Sequence, residues 1–424
     1  MKIKLKKNIF IKLIIIIILL SFIVFLKNPI VNFGFAMLIF ISIARYAKFS
    51  FFTEMSLILT FSYLQGVIYK TFGKIEGSTL AWAGVKMPFY FDDLSIATIS
   101  FLIVTFCFVS MTSIVELEKN IYKRTLNLNK FTTLIYVSFA CVLVLLIFPS
   151  KPTLNFSDGM RARNESLPYG FILLALVLLC ISFDSVKQIK GLWIAYIFVI
   201  FWIFGHGERV EILGFLSYIA LKFINSQNGY SIKEKVSIKR KERVVVLLGV
   251  LIVLLAILIG MKRQSVLIDI SIKTILYNVI IQPTCGDVVY CFNAAANLWH
   301  TNQGLMGYTY IDYLLQLIPA SSSKYSAAAI LVNRCNTMGG ALFFAEPMMN
   351  FGIIGVIVFN IEFFITMYFI LRKTAEIRSW IWVPIVVEVF RICWYGRSGW
   401  ILVSLVEIPL IFWGTKYFLN RIKI

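Results

Sequence analysis

Two residue types in this sequence have the chemistry to act on an anionic substrate: a small set of arginines and one of only two histidines. Arg161 and Arg163 lie in Asp158-Gly-Met-Arg-Ala-Arg-Asn-Glu165. Arg209 lies in Gly205-His-Gly-Glu-Arg-Val-Glu211, and Arg397 in Trp394-Tyr-Gly-Arg-Ser-Gly399, with Arg391 about two turns earlier. A guanidinium stays charged and offers a flat fork of donors that fits phosphate oxygens. Several at one place suit a lipid pyrophosphate. Each is equally compatible with snorkelling to headgroups, and Arg161 and Arg163 also have Asp158 and Glu165 as partners.

His300 is a candidate general base or proton donor, the alternative being a plain surface imidazole. His206, between two glycines, is read as interfacial polarity. No compact Cys/His/Asp spacing is present, so no metal site is expected. Glu346 opens an apolar run in Gly339-Gly-Ala-Leu-Phe-Phe-Ala-Glu-Pro347. A carboxylate at membrane depth is costly and usually has a partner. Glu346 is therefore either an acid/base group or the ion-pair partner of an arginine. Pro347 fits the first turn of a helix. Gly339 and Gly340 would let backbone N–H groups approach an anion where the chain enters it, and Gly352 and Gly355 would allow close helix packing. Cys285, Cys291 and Cys335 fall in one outward segment, where one bridge among three thiols is conceivable.

The elements that must hold these residues are set by composition. Of 424 residues, 59% are hydrophobic and 15% charged, against roughly 25% charged in a soluble domain. Continuous apolar runs approach the ~20 residues a helix needs to cross a bilayer, and they do not alternate as a barrel would. The fold class expected is an all-α polytopic membrane protein of about twelve transmembrane helices. The spans are expected near 8–26, 30–47, 51–69, 94–115, 131–149, 168–185, 191–206, 209–224, 244–260, 341–371, 379–395 and 399–417. The lysine-rich start is read as an uncleaved first helix, since no small-residue cleavage site follows it.

The net charge of +20 is explained by topology, so nucleic acid is not an expected partner, and membrane lipids are. More than half of the basic residues fall in alternate gaps, such as Lys239-Arg-Lys-Glu-Arg243. With the N-terminus cytoplasmic, this pattern places both termini inside. Three regions follow: a bundle over 1–260, a large outward loop over 261–340, and C-terminal spans over 341–424. The loop holds short apolar stretches, Ser265 to Ile281 and Tyr308 to Ile318, expected to lie as helices on the outer interface. Arg161, Arg163, Arg209 and Arg397 share that face.

The segment Gly339 to Gly355, with its glycine pair, Glu346-Pro347 helix entry, Asn350-Phe-Gly352 and Gly355, resembles the end of the large outer loop of bacterial oligosaccharide repeat-unit polymerases. These are the Wzy-type O-antigen and capsule polymerases. Gly207-Glu-Arg209, opening a span before a basic gap, resembles their Gly-x-Arg signature. The layout of some twelve spans with a late outer loop is similar along nearly the whole chain.

The resemblance implies a GT-C-like membrane glycosyltransferase in the bacterial cytoplasmic membrane. Its substrate would be an undecaprenyl-pyrophosphate-linked oligosaccharide, transferred to another lipid-linked repeat unit on the outer face, without cofactor or metal. It implies that Arg209 and Arg397 bind pyrophosphate with help from Arg161 and Arg163. His300 or Asp287 would assist the acceptor hydroxyl, and Trp299, Tyr308 and Tyr310 would stack on sugars or anchor at the interface. A chain-length-regulating co-polymerase is left open as a protein partner. Two rivals remain: an O-antigen ligase, with lipid A-core as acceptor, and a lipid-linked oligosaccharide flippase, which is expected to show internal repeats and mid-membrane half-helices.

Overall fold

The structure is a computed structural model. It describes residues 28–73, 87–123, 128–152, 170–186, 191–225, 283–316, 327–335, 340–373 and 375–395, with a few isolated positions besides. The expected spans at 8–26 and 244–260, and most of that at 399–417, lie outside the described residues.

The described residues form α-helices and no β-strand. In chain order they are α1 (Pro29–Ala47), α2 (Phe51–Phe72), α3 (Phe91–Met111), α4 (Ile114–Lys123), α5 (Lys130–Ile147), α6 (Gly170–Val186) and α7 (Leu192–Gly205). Then follow α8 (Arg209–Asn225), α9 (Pro283–His300), α10 (Tyr308–Gln316), α11 (Ala327–Cys335), α12 (Ala345–Leu371), α13 (Ala375–Val387) and α14 (Val389–Tyr395). Among the described residues, α1, α2, α3, α5 and α12 are long and apolar enough to cross a membrane, and α6 and α7 are shorter apolar helices. The chain is therefore helical and membrane-embedded.

Helix starts follow side-chain chemistry. Asn28 accepts from the N–H groups of Ile30 and Val31 and is followed by Pro29. Ser50 accepts from Thr53 N at the start of α2, and Asn129 accepts from Thr132 N at the start of α5. Each satisfies a donor that a helix start leaves open. At α2 a second donor is met over a long sequence distance, since Phe51 N–H donates to the buried Glu118 Oε1 at 2.8 Å.

The chain divides into two compact units. The first comprises residues 1–118, 281–372 and 391–401. Its interior is aromatic: Phe101 packs on Phe343, Phe344 and Phe364, with ring centroids 5.4–5.9 Å apart. The polar interior contacts are short hydrogen bonds, such as Tyr63 Oη to Ser95 Oγ at 2.9 Å and Asn360 Nδ2 to Ser100 Oγ at 3.0 Å.

Two features of this unit depart from a simple bundle. The expected span at 341–371 is not one continuous helix. Residues 340–344 precede it in non-helical form, and α12 is broken at Gly352, whose φ is +63° and ψ −157°. Trp299 is the packing reason: a Cβ on Gly352 would lie 2.4 Å from Trp299 Nε1. The nineteen residues after the break still rise about 28 Å, enough for the hydrocarbon core.

The second feature is the depth of residues 340–344. Phe343 lies against Phe101, midway along α3. The residues it pairs with are level with the middle of α2, because Trp394 Nε1 donates to Ser62 Oγ at 3.0 Å. Irregular backbone at such a level is tolerated only where the protein itself satisfies it. Here Ala341 N–H donates to Trp394 O (2.8 Å), Leu342 N–H to Val288 O (3.3 Å), and Phe343 N–H to Cys393 O (2.9 Å). The α9 helix, from the segment expected to be an outward loop, packs against α2, α3 and α12. It runs from this middle level to the end where α3 begins. The α10 helix turns Thr309 and Asp312 inward and leaves Tyr308, Ile311, Leu314 and Leu315 exposed, the reverse of a helix facing water and what an apolar surround favours.

The second unit comprises residues 119–280, 373–390 and 402–424. In it α5 packs on α6 and α7, and α8 packs on α13. Lys222 Nζ lies 2.6 Å from Asp184 Oδ2, both largely buried. Removing either partner would strand a buried charge. Nearby in sequence, Tyr196 Oη donates to Leu179 O at 2.6 Å and lies 2.8 Å from Ser182 Oγ. The expected span at 379–395 is interrupted. Pro384 lies inside α13 and removes a helix N–H, and the helix ends at Val387 before α14 begins.

Candidate functional site

One described cluster combines an accessible basic atom with a built environment. It lies in the first unit, where α3 begins and α9 ends. His300 is the last residue of α9 and is 44% exposed at its side chain, whereas Asp93 is 15% exposed. His300 Nε2 is 2.7 Å from Asp93 Oδ2. The imidazole stacks on the Tyr90 ring at 4.5 Å between centroids and 7° between planes.

The sequence of α9 explains the placement. Asn293, Asn297 and His300 follow at i, i+4 and i+7, which puts them on one helix face. That face grips the chain just before α3. Asn293 Oδ1 accepts from Tyr90 N at 2.8 Å, and its Nδ2 donates to Pro88 O at 2.9 Å. Asn297 Nδ2 donates to Tyr90 Oη at 3.3 Å. Asp93, in the first turn of α3, sits where the helix N-terminus favours an anion, and His300 at a helix C-terminus favours a cation.

The loop after His300 is fixed by glycines and one amide. Gly304 packs on Trp299, where a Cβ would lie 2.8 Å from the ring. Leu305 N–H donates to Met349 O at 3.0 Å. Asn350 Oδ1 accepts from Gly307 N at 2.8 Å, and Asn350 Nδ2 donates to Thr309 Oγ1 at 2.7 Å. The Asn350-Phe-Gly352 stretch thus positions the loop beside His300. Trp299 is wedged among these glycines, so it is a packing residue here. Tyr310 stacks on Phe351 at 6.2 Å and 9°, and Tyr308 is exposed.

The other sequence candidates fall elsewhere. Asp287 is thirteen residues before His300 on the same helix, roughly 20 Å along its axis, so the two cannot serve one hydroxyl. Glu346 is 1% exposed and Arg391 is 4% exposed. Both lie next to the mid-level backbone pairing, and the Arg391 guanidinium stands 5.0 Å over the Tyr395 ring. Gly340 belongs there too. A Cβ on it would lie 3.1 Å from Val288 Cγ1 and 3.2 Å from Trp394 O, so its lack of a side chain permits close packing there.

Arg209 begins α8, but its side chain is outside the described residues, as are Arg161, Arg163, Arg397 and Gly339 in full. Cys285 and Cys291 are buried in α9 and are not joined in a disulfide, and the Cys335 side chain is outside the described residues. His206 is buried in the second unit. Its Nδ1 lies 2.7 Å from Trp202 O and its Nε2 3.1 Å from Ser150 O, with Phe148 stacked at 4.5 Å. That ties the end of α7 to residues 148–150. Among the described residues no group of three or more His, Cys, Asp or Glu is arranged to hold a metal ion.

Sequence reasoning missed Asp93, Tyr90, Asn293 and Asn297. The readable signal was the Asn-x3-Asn-x2-His spacing ending at His300. Nothing in the sequence pointed from there to Asp93, 207 positions away. Comparison with known protein families, with characterised protein sequences and with solved structures found no match.

Proposed function

We propose that this chain is a GT-C-like polymerase of lipid-linked oligosaccharide repeat units, acting at the outer face of the cytoplasmic membrane. The observation that carries the proposal is the His300–Asp93 pair at one end of an apolar helical unit. The positive-inside alternation assigns that end to the outer face, the side on which a translocated, lipid-linked glycan is presented.

In the proposed reaction the acceptor hydroxyl attacks the anomeric carbon of the donor glycan. A new C–O bond forms and the bond from that carbon to the pyrophosphate oxygen breaks. The hydroxyl proton passes to His300, and undecaprenyl pyrophosphate leaves with the bonding electrons. A general base of this kind contributes about 10²–10⁴-fold. The arginines assigned to the departing pyrophosphate remain Arg209 and Arg397, helped by Arg161 and Arg163, in keeping with the guanidinium's fit to phosphate oxygens. Asp287, Glu346, Arg391 and Gly340 are left out of the reacting centre because of their level in the unit.

A flippase has one observation in its favour. The interrupted helix entry at 340–344 and the break at Gly352, with Glu346 and Arg391 buried at mid-level, are features transporters use around a substrate. Against it, the sequence shows no internal repeat, and the accessible His300 beside Asp93 offers the proton acceptor that glycosyl transfer needs. Deleting the gene in its host separates the readings. A polymerase deletion leaves single repeat units still joined to the lipid core. A ligase deletion leaves lipid-linked polymer and bare core, and a flippase deletion leaves single units trapped on the cytoplasmic side.

A further inference from the structure

We infer that Asp93 is the positioning residue of this site, holding the His300 imidazole so that Nδ1 is the basic atom offered to the acceptor hydroxyl. The inference rests on the reading of His300 as the base and adds to it a tautomer and the group that sets it. A carboxylate only accepts, so the 2.7 Å contact at Asp93 Oδ2 places the imidazole proton on Nε2. The lone pair is then on Nδ1. Tyr90 covers one face at 4.5 Å and 7° and holds the plane of the ring; a half-turn within that plane would replace Nε2 by a ring carbon and break the contact with Asp93.

Tyr90 in turn is held at its N–H by Asn293 and at its hydroxyl by Asn297. The aromatic face and the carboxylate therefore fix the ring's plane and its rotation separately. Once His300 has taken the proton, both nitrogens carry hydrogen. Asp93 then faces a cation at hydrogen-bond distance, and the Tyr90 ring adds a cation–π contact. Asp93 touches neither donor nor acceptor and acts only through His300.

Asp93→Asn keeps the size of the side chain and replaces an obligate acceptor by an amide. The amide N–H can donate to Nε2 and draw the proton to Nδ1, which is the wrong atom. Loss of the correct tautomer in a triad of this logic costs about 10⁴-fold, so repeat-unit elongation in membranes is expected to fall 10²–10⁴-fold. Asp93→Glu, which restores a carboxylate, is expected to recover part of it.

Because the chain has two histidines, ¹⁵N-histidine spectra of the whole protein in detergent, with His206→Gln to assign them, read the His300 tautomer directly. The expected spectrum has Nε2 protonated in the wild type and shifted toward Nδ1 in Asp93→Asn. An unchanged His300 spectrum in Asp93→Asn overturns the inference even if activity falls. Full activity in Asp93→Asn beside an inactive His300→Gln also overturns it while leaving His300 as the base. Full activity in His300→Gln removes the base itself, and the polymerase mechanism with it.

Discussion

His300→Gln is expected to slow repeat-unit elongation by about 10²–10⁴-fold while the protein still inserts and accumulates normally. The side chain is 44% exposed, so its exchange for a neutral hydrogen-bonding group leaves no cavity and buries no charge. Its only directional side-chain contact in the described residues is with Asp93, and glutamine can still donate an N–H to that carboxylate. What glutamine lacks is a basic nitrogen. A drop in activity without a drop in protein level therefore isolates proton transfer from stability. Equal loss of both would mean that His300 holds the fold.

Gly214→Ala is expected to destabilise the second unit by about 3 kcal/mol, the upper range for overpacking a close contact. Alanine is ordinarily the better helix former by about 1 kcal/mol, so the direction of the effect is diagnostic. In α8 a Cβ at position 214 would stand 1.7 Å from the Val387 carbonyl oxygen and 2.7 Å from its carbon. Both are backbone atoms of α13 and cannot swing away as a side-chain tip could. The helices must separate, and in lipid their close approach supplies much of the attraction. Thermal unfolding in detergent, or a protease-resistance midpoint, measures this. A variant as stable as the wild type would show that α8 and α13 do not meet at this glycine.

Much of the helix placement was legible because lipid demands long apolar runs. The expected spans at 30–47, 131–149 and 191–206 fall within a few residues of α1, α5 and α7. Where a segment is covered by protein instead of lipid, the signal weakens. The α9 helix carries Asn293 and Asn297 and falls in the segment expected as an outward loop, yet those amides are consumed by Pro88 and Tyr90. The entry at 340–344 reads as the start of a span because its residues are apolar. Its irregular path is set by carbonyls of Val288, Cys393 and Trp394, which no local pattern announces. Gly352 was legible as a packing glycine, but its positive φ depends on Trp299, 53 positions earlier.

The candidate site was half legible for the same reason. His300 stood out by rarity, and Asp93 belongs to the expected end of a different helix. The Arg161, Arg163, Arg209 and Arg397 side chains lie outside the described residues. For Arg391 the structure gives a definite place, buried and stacked on Tyr395, separate from His300. Glu346 was read as an acid/base group or an ion-pair partner, and the structure places it fully buried at the start of α12.

The most direct test is to place the purified full chain in lipid nanodiscs with undecaprenyl-pyrophosphate-linked repeat units and resolve the glycans by size. The predicted result is a ladder of products longer by whole repeat units, with release of one undecaprenyl pyrophosphate per bond formed, both slowed about 10²–10⁴-fold with His300→Gln. Repeat units left at their starting length by a wild-type protein that moves them across vesicle bilayers would contradict the polymerase and establish a transporter in its place.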